Sequence, residues 1–111
     1  VAERHYQPLL IKKLRRLFDG IIILKNDSSY MQGVPDLILL YGPFWAMLEV
    51  KADKDSPFQP NQEYYLDQFN RMSFAACIYP ENEGEVLSAL EQAFGLRRTT
   101  RVAKRKQASL D

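Results

Sequence analysis

The feature that most limits how this chain folds is a pair of apolar runs, residues 37–40 and 45–50, separated by Tyr41-Gly42-Pro43-Phe44. A Gly-Pro centre between two such runs is a turn signal, and together they read as an antiparallel hairpin. With the turn centred on the Gly42–Pro43 bond, residues equally far from that bond face each other, and Asp36 then stands opposite Glu49. Directly opposed residues on one face have Cβ atoms roughly 5 Å apart. A two-residue or a four-residue loop gives this register, while a three-residue loop shifts it by one. Strand periodicity places Lys51 on the same face as Glu49 and Val50 on the other.

Around the hairpin the pattern alternates between helix and strand. Tyr6, Leu10, Leu14 and Leu17 recur at helical spacing over residues 3–18, with Leu9 and Phe18 widening the stripe. Asp19-Gly20 stops that helix, and residues 21–24 read as a short strand. The polar stretch 52–60 leads to a second helix with Asn61 as N-cap and Tyr65, Leu66, Phe69 and Met72 as its apolar stripe. Residues 74–79 read as a strand ended by Pro80. A last helix over 83–94 buries Val86, Leu87, Leu90 and Phe94 and is capped by Gly95. The order αβββαβα predicts an α/β fold in which a mixed β-sheet is flanked by helices. The third and fourth strands are parallel because a helix connects them.

Two facing carboxylates beside apolar strands repel, and burial raises the cost. Lys51 can neutralise one, which leaves a surplus that a hard divalent cation with oxygen ligands would satisfy. That arrangement suits holding a metal against a phosphate, with a lysine beside the attacking water. The same residues allow a plainer reading. Asp36 then simply begins a strand after Pro35, and Glu49 with Lys51 forms an exposed ion pair, E-x-K triplets being common. Gln62, one turn ahead of Leu66, faces the sheet either as part of a site or as a helix-start hydrogen bonder. Glu3 precedes Tyr6 and Leu10 and serves either the helix dipole or a metal.

The chain has 111 residues, 46% hydrophobic and 26% charged, which is the composition of one globular domain rather than a disordered segment. Residues 1–95 read as that domain and 96–111 as a basic C-terminal tail. One cysteine, Cys77, excludes an internal disulfide and a Cys-rich zinc site. No apolar run approaches the roughly 20 residues that cross a bilayer, and no signal-peptide pattern is present. An intracellular location, cytoplasm or nucleoid, is the expectation, and the start at Val1 leaves room for residues upstream. Net charge is +1, yet six of the fifteen basic residues fall in the tail. These are Arg97, Arg98, Arg101, Lys104, Arg105 and Lys106. A second group, Lys12, Lys13, Arg15 and Arg16, lies on the first helix. Both clusters are candidate phosphate contacts or, equally, solvated surface.

Gly33-Val34-Pro35-Asp36, the hairpin, Glu49-Val50-Lys51, and Pro60-Asn61-Gln62 opening a helix together resemble the PD-(D/E)XK nuclease superfamily, and within it the VRR-NUC domain. The resemblance spans roughly residues 3–94 and implies a restriction-endonuclease-like core. It implies Asp36 and Glu49 as magnesium ligands (manganese able to substitute), joined by the Val50 carbonyl and, in some members, by an acid at the position of Glu3. Lys51 would orient or activate water, and Gln62 matches a glutamine near the active site. Ser73 departs from the pattern, standing where a glycine is common.

The reaction so implied is phosphodiester hydrolysis by a metal-activated water, leaving a 5′-phosphate. Stand-alone domains of this kind resemble Holliday junction resolvases, so the expected partner is DNA, four-way junctions or other branched forms, bound by a homodimer. Tyr64, Tyr65, Phe44 and Trp45 are either partner surface or core. No base-reading motif is present, and no membrane role is expected. A phage or mobile element would suit such an enzyme. The competing readings are a non-catalytic nucleic-acid-binding module and a nuclease subunit that needs a targeting partner.

Overall fold

The structure is a computed structural model that describes residues 2–27 and 29–96. Its elements are α1 (Glu3–Leu17), β1 (Ile22–Lys25), β2 (Leu37–Tyr41), β3 (Phe44–Val50), α2 (Gln62–Met72), β4 (Phe74–Ile78), a 3₁₀ turn (Pro80–Asn82) and α3 (Glu83–Ala93). Apart from the 3₁₀ turn, this is the order read from the sequence. The sheet runs β1-β2-β3-β4, antiparallel through the first three strands and parallel between β3 and β4 across the α2 crossover. The expected basic tail, from residue 97 onward, lies outside the described residues.

The hairpin register is the one expected. Tyr41 pairs with Phe44, and the ladder continues to Leu37 opposite Leu48. Gly42 has φ +59°, and the ring of Pro43 holds its own φ near about −65°. A positive first residue followed by a negative second is the type II′ pattern, whose twist matches that of paired strands.

One face of the sheet builds the core. Leu37, Leu39, Ala46, Leu48, Val50 and Ile78 meet Tyr6, Leu10, Leu14 and Phe18 from the α1 side and Val86, Leu87, Leu90 and Phe94 from the α3 side. At the turn end, Phe94 stacks on Tyr41 and Phe44, and Phe18 meets it edge-on. The Tyr6 hydroxyl donates to Glu83 Oε1 at 2.7 Å and the Lys13 ammonium pairs with Glu83 Oε2, tying α1 to the start of α3. The other face is covered less completely: α2 packs against β4 and β3, and none of its residues is fully buried.

Several expected packing positions differ. Leu9 is 55% exposed, and Leu17 is also exposed, because Phe18 continues the Tyr6–Leu10–Leu14 stripe at a four-residue step while Leu9 and Leu17 flank it. Met72, 66% exposed, ends α2 clear of the sheet. Asn61 occupies the N-cap position of α2 with φ +69° and makes no side-chain cap bond. The backbone takes that shape where it passes Gly33. A Cβ built on Gly33 would lie 2.6 Å from Asn61 Cβ and 2.9 Å from the Pro60 carbonyl oxygen, and Gly33 itself has φ +94°. Ser73, the departure from the family pattern, bonds its hydroxyl to the Trp45 carbonyl, so it anchors the α2–β4 turn to β3.

Gly33→Ala is therefore expected to destabilise the chain by about 1–3 kcal/mol. Urea unfolding checks this as a lower midpoint with an unchanged slope. An unchanged midpoint would contradict the close approach of the two loops.

Candidate active site

Asp36 stands immediately before β2. Its carbonyl accepts from the Asn26 N–H at 2.8 Å, extending the β1–β2 pairing, and its Oδ2 accepts from the Val50 N–H at 2.8 Å. One step inward, Leu37 faces Leu48, so Asp36 is brought against Glu49 as the turn geometry predicts. Glu49, on β3, is 2% exposed. Lys51, 7% exposed, follows the end of β3, and its N–H donates to the Ile78 carbonyl at 2.9 Å, carrying the β3–β4 pairing one residue further.

Gln62, the first residue of α2, joins these groups. Its Nε2 donates to Glu49 Oε2 at 2.8 Å, while its Oε1 accepts from Lys51 Nζ at 2.8 Å and from the Gln59 N–H at 2.7 Å. Two donors at the oxygen and a carboxylate at the nitrogen determine which way the amide faces. Gln62 therefore bonds to the segment that leads into α2 and, through the same amide, to Glu49 and Lys51. Lys51 Nζ lies 3.6 Å from Glu49 Oε2, donates to the Pro57 carbonyl at 3.1 Å, and sits 5.6 Å from the centre of the Phe58 ring. Pro57, Phe58 and Asn26 were not singled out from sequence. Phe58 had one signal, an aromatic inside an otherwise polar loop.

Glu49 Oε1 is, among the described residues, the one buried side-chain oxygen or nitrogen with no hydrogen-bond partner. Asp36 cannot supply a donor while it is ionised. Burial and then the Asp36 charge push the Glu49 carboxyl up to about 8, against the pull of Lys51. Burial also raises Asp36, partly offset by the bond from Val50. Burial and mutual repulsion thus favour a shared proton or a bound cation at the pair.

A hard divalent cation fits this donor set: two carboxylates and, by position, the Val50 carbonyl, with water completing the coordination. Glu3 lines the same cleft, about 420 Å³, as Asp36, Glu49, Lys51 and Gln62. Its carboxyl is raised by desolvation and then by Asp36. Among the described residues, however, no three His, Cys, Asp or Glu side chains converge as a ligand set, so Glu3 does not complete one here. Cys77, opposite Glu49 on β4, is pushed up to about 11 by burial and by that carboxylate, which keeps it a thiol rather than a nucleophile.

The basic residues singled out on α1 do not line this cleft. Arg15 and Arg16 lie in the last turn of α1, about 18 Å along the helix from Glu3 at its rise per residue. Lys12 is on the same exposed half, and the Lys13 ammonium is held by Glu83. Arg97, Arg98, Arg101, Lys104, Arg105 and Lys106 lie outside the described residues.

A helix-flanked mixed sheet with this crossover is the restriction-endonuclease-like architecture that the resemblance implies. A solved structure described as a VRR_NUC domain protein superimposes on the chain with a TM-score of 0.64, covering 84% of this chain and 90% of that one at 18% identity. At that identity the likeness is one of fold, and the fold is VRR-NUC-like. No family model and no curated protein matches the sequence.

The raised Glu49 carboxyl has a consequence for stability. Folded Glu49 holds its proton up to about pH 8, whereas the unfolded chain releases it near the ordinary value of 4.5. Without divalent ions, stability should fall as pH rises through that interval. Thermal melts of the metal-free chain at pH 5 and pH 8 check this, and Glu49→Gln should flatten the slope. A wild-type chain more stable at pH 8 would refute the buried proton.

Proposed function

We propose that this chain is a magnesium-dependent DNA endonuclease, and the observation that carries the reading is the orphaned, buried Glu49 Oε1 beside Asp36. A protein that merely bound nucleic acid would gain stability by replacing these carboxylates with apolar groups, since buried unpaired charge is costly. The chain instead holds them in place with Gln62 and Lys51. The VRR-NUC-like fold supports the same reading.

Asp36, Glu49 and the Val50 carbonyl would hold the ion, and Glu3, which lines the same cleft, would orient a water there. When bound, the ion acidifies a water and neutralises charge on the phosphate. Lys51, held in position by Gln62 Oε1 and the Pro57 carbonyl, presents its remaining N–H to a phosphoryl oxygen or the attacking water. Gln62 acts through Glu49 and Lys51, so it is a positioning residue. Hydrolysis would leave a 5′-phosphate.

Branched DNA, including the four-way junction, is the proposed substrate, cut by a homodimer that presents two sites. The α2-side face of β1 supports an assembly of two copies. Ile22 and Leu24 are exposed there, and Tyr30 nearby is 88% exposed. Phe44 instead stacks on Phe94, and Trp45 and Tyr65 pack against Phe69, so these three serve the fold; Tyr64 stays exposed. Lys12, Arg15, Arg16 and the basic residues from Arg97 onward are proposed as outer phosphate contacts.

Four-way junction, flap and linear duplex DNA incubated with magnesium or manganese provide the test. Cleavage should stop with a chelator, fall at least about 10²-fold in Glu49→Ala, and decline in acid as Asp36 and Glu49 protonate. Equal cleavage by wild type and Glu49→Ala would overturn the mechanism. Uniform nicking of all three substrates would overturn the junction preference alone, and a chain that sediments as a monomer would overturn the homodimer.

A further inference from the structure

Beside the candidate active-site cleft lies a second cleft of about 510 Å³, between the first turn of α1 and the end of β1. Glu3 lines both clefts, so they adjoin at that residue. The second is lined by Arg4, Gln7 and Lys25. Lys25 pairs with Leu37 across β1–β2, one register step from Asp36, and the next residue, Asn26, binds the Asp36 carbonyl. Strand alternation puts the Lys25 side chain on the α1 face of the sheet with Leu37, opposite Asp36, so Lys25 meets the second cleft from the α1 side, and α1 places Arg4 next to Glu3. Both cations are exposed, and among the described residues neither forms a salt bridge or side-chain hydrogen bond. Two unpaired cations and a neutral amide outweigh the single Glu3 carboxylate in the wall and suit a phosphodiester: a guanidinium can fork two phosphate oxygens, and an ammonium adds a point charge.

We infer that this cleft is the subsite for a phosphate neighbouring the scissile one, with Arg4 and Lys25 as its contacts and Gln7 as a further donor. The inference rests on the nuclease reading and extends it by stating where the DNA strand leaves the site: from the Asp36–Glu49 pair across the start of α1. Interactions made alike in ground and transition state act on binding, so they should appear in KM and not in kcat.

The test uses the full chain with Arg4→Ala, Lys25→Ala and the double substitution, and with Arg71→Ala as a control for removal of one surface charge elsewhere. Duplex affinity is measured by fluorescence anisotropy in calcium across a salt series, and cleavage kinetics in magnesium. Removing each cation that neutralises a phosphate should reduce the slope of log affinity against log salt by about 0.9, so the double variant should lose nearly two. KM should rise about tenfold or more, with kcat within twofold and the melting temperature unchanged. Arg71→Ala should match wild type, and Arg4→Lys with Lys25→Arg should restore most of the slope. An unchanged slope and KM in the double variant, or a fall in kcat alone, overturns the inference while leaving the nuclease reading intact. If the unaltered chain neither binds nor cuts DNA, the nuclease reading fails first and this inference fails with it.

Discussion

The type II′ turn at Gly42–Pro43 governs both the core and the candidate site, because a hairpin has a single register. Leu37, Leu39, Ala46 and Leu48 face the core only if Tyr41 pairs with Phe44. The same pairing brings Asp36 against Glu49 at the far end of the hairpin. A slip of one residue would turn the apolar set outward and separate the carboxylates together. The site is thus held by the full burial energy of the sheet, although its own contacts are unfavourable.

That distinction explains the local design. Asp36 and Glu49 repel, and burial makes their ionised forms costlier still. Gln62 answers with an amide that donates to Glu49 and accepts from Lys51, so one side chain from α2 bonds to both charged groups at the end of β3. Lys51 is further held by the Pro57 carbonyl and the Phe58 ring. Glu49 Oε1, the one buried side-chain oxygen or nitrogen without a hydrogen-bond partner among the described residues, marks where a positive charge would complete the pair. Gly33 contributes indirectly: without a Cβ it lets the loop before Asp36 pass against Asn61, immediately ahead of Gln62.

Much of this was legible before the structure. Alternation and turn chemistry are local properties, and they yielded the hairpin, the Asp36–Glu49 facing, the position of Lys51 and the sheet-facing side of Gln62. Errors arose where position depends on what lies across the interface. Leu9, Leu17 and Met72 are as apolar as their buried neighbours, and only the width of the facing surface decides that they stay exposed. Asn61 is a good cap by residue type, yet its backbone stands in the left-handed region where it passes Gly33, and its side chain makes no cap bond. Lys13 looked free for phosphate because Glu83, 70 residues away in sequence, gives no local sign that it will take the ammonium.

The sequence by itself determined the order of elements, the hairpin register and the identity of the charged set, because those follow from residue periodicity and from what Gly and Pro permit. The tertiary structure alone decided which polar groups are satisfied. Gln62 bridges Glu49 and Lys51, Glu3 reaches the cleft of Asp36, and Arg4 shares a cleft with Lys25, only because α1, α2 and the strand ends converge at one end of the sheet. The physical reason is range: strand alternation and turn preference act over a few residues, whereas burial and charge act between groups that only folding brings close.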